Sequence, residues 1–171
     1  MRVLFVCTGN ICRSPAAERL AIAYAERASI PHLEVSSAGT RAVSGQPIHP
    51  HAVRALLERG GDPTNHHARR ATARLLLSAD LILTMSPSNR ESVLELAPQQ
   101  LNQVFTLHEA ARLALHDDVL TCADLATART RVRAHDLPQV ADPIGRSAAY
   151  HSAVVNEIAD ILPPILELCR D

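Results

Sequence analysis

The junction Arg2-Val3-Leu4-Phe5-Val6-Cys7-Thr8-Gly9-Asn10-Ile11-Cys12-Arg13-Ser14-Pro15 constrains this chain most. Arg2 to Val6 is a short, mainly apolar and β-branched run bounded by Thr8-Gly9-Asn10, which predicts a buried strand. Ser14-Pro15 predicts a helix start, with Ser14 at the N-cap, Pro15 at the first helical position and Glu18 three residues beyond it. A tight loop between a strand and a helix start points backbone N–H groups and the helix dipole at one spot, and that spot favours an anion.

The rest of the chain repeats the alternation. Strands are expected over 33–37, 80–85 and 103–107, and helices over 51–59, 71–78, 86–97 and 108–115. A last helix is expected from about Ser147 towards Cys169, bent or interrupted by Pro163-Pro164. Strands alternating with helices predict an α/β fold: a single three-layer domain, with a four-stranded parallel sheet and helices on both faces. Its ligand belongs beyond the carboxyl ends of the strands, at the phosphate loop after strand 1. The 171 residues suffice for one domain over 1–171 and hardly for two. The stretch 116–140 is less regular. With Arg129, Arg131 and Arg133 on alternate positions among Asp117, Asp118 and Asp124, it reads as a solvated surface insertion.

Composition removes several alternatives. All 17 basic residues are Arg, so a Walker-type phosphate loop and a pyridoxal Schiff base, which both need Lys, are excluded. A formal charge of -1 gives no sign of a nucleic-acid or anionic-membrane partner. The N-terminal apolar run is too short for a signal peptide or a membrane span. Cys7, Cys12, Cys122 and Cys169 lack the pattern of a secreted disulfide scaffold, so a reducing cytoplasm is expected. The nine His lack ligand spacing with Cys or acids, so no metal site and no cofactor are expected. The expected state is a monomer or a weak homo-oligomer.

Cys7 and Arg13 are separated by five residues. Cys7 would sit at the base of a positive bowl that favours its thiolate, a strong nucleophile facing a bound phosphorus. Arg13 supplies a planar fork for two phosphate oxygens. Gly9 is expected to permit the strained backbone of the loop. A leaving oxygen needs a proton, so an acid must stand over the bowl. Asp62-Pro63 and Asp142-Pro143 are the candidates. Asp62 follows Gly60-Gly61 and reads as turn chemistry, whereas Asp142 lies just before the last helix. Cys12 either packs or acts as a redox partner of Cys7.

Val3 to Pro15 resembles the signature of the low-molecular-weight protein tyrosine phosphatase family. Ser36-Ser37-Ala38-Gly39-Thr40, Gly45-Gln46-Pro47, His66-His67-Ala68-Arg69, Ala79 to Met85 and Ala141-Asp142-Pro143 follow in family order. The resemblance implies Cys7 as nucleophile, Arg13 as phosphate and transition-state ligand, and Asp142 as general acid. It implies phosphate contacts from Thr8, Gly9, Asn10, Ile11, Cys12 and Ser14. Asn10, Ser14, Ser37 and His66 would shape the loop, and Ser14 would help the thiolate leave. The implied substrate is a phosphorylated protein, most simply at tyrosine.

Ile144 after Asp-Pro and Ala42 ahead of Gly45 are not aromatic, where phosphotyrosine-selective members usually carry aromatic walls. The segment between Leu115 and Val140 is also longer than usual and is expected beside the acid loop. Ile11 stands where phosphoarginine-selective relatives tend to carry Thr. Three alternatives stay open: an arsenate reductase on the same fold, a phosphoarginine phosphatase, and a non-catalytic phosphate-binding regulator. The first needs resolving thiols, and residues 80–100 contain no Cys.

Overall fold

The computed structural model describes residues 1–133 and 136–170. Strand β1 (Arg2–Cys7) is buried from Val3 to Cys7, and it is central because both of its faces are apolar. It pairs in parallel with β2 (Glu34–Gly39) on one side and β3 (Leu81–Thr84) on the other, and β4 (Val104–Thr106) pairs with β3. The sheet order is β2-β1-β3-β4.

Strand residues alternate between two cores, as a period of two requires. Val3, Phe5, Leu81, Leu83 and Phe105 face the larger one, with α1 (Arg13–Ala28), α2 (Pro50–Glu58), α5 (Leu107–Leu113) and α7 (Ala148–Glu167). Leu4, Val6, Ile82 and Val104 face the smaller one, with α3 (Ala73–Leu77) and α4 (Pro87–Leu96). Phe5 and Phe105 are fully buried, each worth about 1.5–3 kcal/mol over an exposed ring. The expected three-layer α/β domain is therefore present among the described residues. No helix among them is long and apolar enough to cross a membrane.

Three expectations need correction. Of the two outcomes expected at Pro163-Pro164, interruption does not occur: the last helix continues through both prolines. Its apolar face, Val154, Val155, Ile158, Leu162, Ile165 and Leu166, is buried on both sides of the proline pair, and packing outweighs the two missing N–H donors. Helix α1 starts at Arg13, with Cys12 at the N-cap and no side-chain cap. Ser14 thus lies inside the first turn, and Pro15 is tolerated there because first-turn N–H groups need no intrahelical partner.

Thirdly, 116–140 does not simply lie in solvent. Helix α6 (Asp124–Ala128) buries Leu125 and Ala128 in the larger core. The Arg129 guanidinium lies 4.0 Å over the Phe105 ring, donates to the Leu101 and Val104 carbonyls and pairs with Glu109. The segment covers the β4 edge, which would otherwise offer unpaired strand groups. Arg131 does lie at the surface, paired with Asp118. Residues 134 and 135 of the expected insertion lie outside the described residues.

Candidate active site

Cys7 ends β1, and its carbonyl accepts the Thr40 N–H at 2.9 Å, so the sheet fixes the base of the loop. The Cys7 sulfur accepts the Asn10 N–H at 3.2 Å and lies 3.0 Å from the Ser14 hydroxyl. Both groups can donate to a sulfur that attacks or leaves as thiolate. The open N-terminus of α1 has no acidic residue in its first turn, so its positive end is left for an anion.

Asn10 is the keystone of the loop. Its backbone is left-handed, at φ 56°, and its side chain is fully buried. Its Nδ2 donates to Ser14 Oγ at 3.0 Å and to Ser37 Oγ at 2.8 Å, and its Oδ1 accepts the Arg69 N–H at 2.9 Å. Its carbonyl lies 2.8 Å from His66 Nε2. A carbonyl only accepts, so Nε2 carries the proton. Burial pushes the His66 imidazole below its ordinary range, which keeps that ring neutral at pH 7. Asn is well suited to this place, being the non-glycine residue that best tolerates left-handed backbone.

Asn10→Ala is accordingly expected to cost about 2–4 kcal/mol. Three side-chain hydrogen bonds at about 1 kcal/mol each are lost and buried partners stay unpaired. Urea unfolding monitored by circular dichroism measures it, and a loss under 1 kcal/mol would show that the network does not hold the loop.

Gly9 does not have the strained backbone expected of it: left-handed φ falls on Asn10, and a side chain at Gly9 would meet only Ile11, at 3.4 Å. The close approach lies at Gly39, where a Cβ would stand 2.6 Å from the Thr8 carbonyl and 2.9 Å from the Asn10 nitrogen. Gly39 therefore lets β2 back onto the loop. Ser14 is not an N-cap, because its hydroxyl is used at Cys7, at Asn10 and at the Ala38 carbonyl, 3.2 Å away.

Arg13 is buried. Its guanidinium donates to the Val140 carbonyl at 3.1 Å and to Asp142 Oδ2 at 2.5 Å. The Asp142 side chain is 49% exposed, and its Oδ1 accepts the Ile144 N–H at 3.2 Å. The structure thus brings Cys7, Arg13 and Asp142 into one site across 135 residues of chain. Asp62 instead accepts from the Thr64 N–H and hydroxyl, bonds that hold its carboxyl below the usual range. It serves its own turn.

Four contributors escaped sequence reasoning. Asn89 is buried at the start of α4 and donates to Thr8 Oγ1 at 3.1 Å. Glu18 accepts the Ser37 hydroxyl. Arg69 ties the Ser37 carbonyl to the loop, and Gly39 is the fourth. Glu18 had a signal in its place one helical turn past Pro15; Asn89 had none, because its partner is 81 residues away.

The remaining cysteines divide in two. The Cys12 thiol is pushed up to about 12, first by burial and then by neighbouring Cys7 and Asp142, while Arg13 pulls it down. Cys122 and Cys169 are free thiols 3.4 Å apart at the far end of α7. Eighteen residues of helix from His151 to Cys169 span roughly 27 Å, which removes both from the phosphate loop. The absence of a metal site was expected from linear spacing alone. The fold nevertheless brings Cys12, His49 and His151 together, with one ligand atom of each within 4.8 Å of the others. Burial pushes the His151 imidazole down, and the Pro143 carbonyl pulls the other way without meeting hydrogen-bond geometry.

Residues 2–168 match the family model described as low molecular weight phosphotyrosine protein phosphatase. The chain is 38% identical over 115 residues to a probable low molecular weight protein-tyrosine-phosphatase, EpsP, of Ralstonia nicotianae, covering 67% of this chain and 76% of that protein. It is 40% identical over 120 residues to a protein-arginine-phosphatase of Bacillus subtilis, covering 70% and 78%. It superposes with a TM-score of 0.78 and 31% identity on a cysteine-to-serine mutant of the YwlE arginine phosphatase with phosphorylated active site serine, covering 97% and 93% of the two chains.

Proposed function

The chain belongs to the low molecular weight phosphotyrosine protein phosphatase family, and from that membership we propose that it is a cytoplasmic phosphatase that hydrolyses phosphotyrosine on proteins through a phosphocysteine at Cys7. The observation that carries this reading is the Cys7 sulfur held between the Asn10 N–H and the Ser14 hydroxyl, in a loop whose Arg13 meets Asp142. A reducing compartment keeps such a thiol active.

In the first step the phosphate dianion takes the Arg13 fork from Asp142, and the loop N–H groups hold its oxygens. The Cys7 thiolate attacks phosphorus, a P–S bond forms and the P–O bond to the leaving group breaks. Asp142, released from Arg13 and standing beside the dianion, takes up a proton from solvent and gives it to the departing oxygen. In the second step water attacks phosphorus, Asp142 takes the water proton and the thiolate leaves. The Ser14 hydroxyl, 3.0 Å away, stabilises the returning charge. A solved relative with phosphate on its active-site serine supports a covalent intermediate at this place.

The arsenate reductase reading loses ground, because Cys122 and Cys169 are too distant to resolve a bond at Cys7 and residues 80–100 have no Cys. A phosphoarginine reading is favoured by one observation, the 40% identity to a protein-arginine-phosphatase. Against it stands Ile11, whose bulk suits an aryl ester better than a guanidinium.

The two positions where aromatic walls are expected carry none: Ile144 is 50% exposed and Ala42 packs close to Gly39. Turnover of aryl phosphates is therefore expected at a high Michaelis constant, since ring stacking is shared by ground and transition states. Ile144→Tyr is expected to lower that constant for phosphotyrosine peptides by up to about tenfold, the equivalent of ~1.4 kcal/mol. The decisive assay compares phosphotyrosine and phosphoarginine in peptides of one sequence. A clear preference for phosphoarginine would replace the tyrosine reading.

A further inference from the structure

Cys12, His49 and His151 come from three separate elements: the N-cap of α1, the N-cap of α2 and the first turn of α7. The His49 and His151 rings stack with centroids 4.5 Å apart and 14° between planes. His151 is completely buried, and among the described residues neither of its ring nitrogens has a hydrogen-bond partner. A buried imidazole left unpaired on both sides is costly and calls for a ligand. None of the three side chains takes a hydrogen bond from the phosphate bowl, so the proposed catalytic chemistry does not account for them. Among the described residues, the one competing bond is the weak one from the His51 N–H to His49 Nδ1, at 3.2 Å.

We propose that Cys12, His49 and His151 form a zinc-binding site behind the phosphate loop. One thiolate and two imidazoles are borderline-soft donors that suit Zn²⁺ and not the hard, oxygen-seeking Ca²⁺ or Mg²⁺. Tetrahedral zinc needs its nitrogen and sulfur ligands about 3.3–3.6 Å apart. The three ligand atoms already lie within 4.8 Å of one another, so side-chain movements on the order of 1 Å close the site. Zinc displaces the Cys12 proton, which leaves as the Zn–S bond forms. Three protein ligands leave a fourth position to water. His51 stands beside it, its ring centroid 5.2 Å from that of His49 and 5.3 Å from that of His151. Bound zinc would tie the loop before α2 and the start of α7 to the phosphate loop.

The test uses the full chain carrying Cys7→Ser, which removes the competing catalytic thiolate. Titration with Co²⁺ as a spectroscopic stand-in is expected to give one equivalent of tetrahedral cobalt with a thiolate-to-metal band. Zn²⁺ should displace it with micromolar or tighter affinity. Adding Cys12→Ser should remove the band, and His49→Ala or His151→Ala should weaken zinc at least tenfold. Zinc at about one hundred times its dissociation constant should raise the melting temperature by about 5–10 °C, and by nothing without Cys12. His49 is only partly buried, so its variant tests the site even if His151→Ala fails to fold. A thiolate band that survives Cys12→Ser, no band in the Cys7→Ser protein, or unchanged zinc affinity in folded His49→Ala would overturn the proposal.

Discussion

Cys7→Ser is expected to remove at least about 99% of turnover while leaving inorganic phosphate bound almost as tightly as before. The asymmetry comes from how the site is built. The anion is held by loop N–H groups, by the open end of α1 and by Arg13, none of which the substitution touches. The nucleophile is a separate atom held beneath them, and a serine hydroxyl is a far weaker nucleophile than a cysteine sulfur. Ser14 and the Asn10 N–H, which face the sulfur at 3.0 and 3.2 Å, can hold a hydroxyl in its place. Steady-state turnover of p-nitrophenyl phosphate measures the first half of the expectation, and phosphate titration by calorimetry the second. Acid-quenched wild-type protein should carry phosphate on the Cys7 peptide in the mass spectrum. Residual turnover above about one percent would remove Cys7 from the reaction.

The linear order of the chain made the sheet legible because β1, β3 and β4 are buried on both faces. Val3 to Cys7 and Leu81 to Thr84 therefore read as continuous apolar runs, and the loop that follows the first of them marks the ligand end of the sheet. Local rules failed where a residue has stronger business elsewhere. Ser14 has the residue type of an N-cap, but its hydroxyl faces the Cys7 sulfur, and the N-cap falls two residues earlier, on Cys12. Gly9 has the permissive backbone, but hydrogen bonds to four residues of three surrounding segments place the left-handed turn on Asn10. Pro163-Pro164 would break an exposed helix and do not break one clamped by a buried face. Arg129 reads as a solvated charge because the Phe105 ring and the carbonyls it meets are remote in sequence. The Cys12, His49 and His151 cluster was hidden for the same reason: its members are 37 and 102 positions apart, and only the packing of α2 and α7 beside the loop joins them.

Asp142→Asn is expected to slow alkyl phosphates by about 10²–10⁴-fold while slowing p-nitrophenyl phosphate far less. The acid matters in proportion to the basicity of the departing oxygen. Nitrophenolate leaves with little help, whereas an alkoxide cannot leave unprotonated. Asparagine keeps the shape of the side chain and an oxygen for the Ile144 N–H, so the loop from Asp142 to Gly145 should keep its turn. What is lost is the proton and the ion pair to Arg13 at 2.5 Å. Losing that pair acts on every substrate alike, because it changes how Arg13 waits for phosphate and not how the leaving group departs. The two losses therefore separate in one experiment: a common factor for all substrates reports on Arg13, and the slope against leaving-group pKa reports on the proton. The slope should steepen in the variant. If alkyl and p-nitrophenyl phosphates fall by the same factor, Asp142 only positions Arg13, and another group must supply the proton.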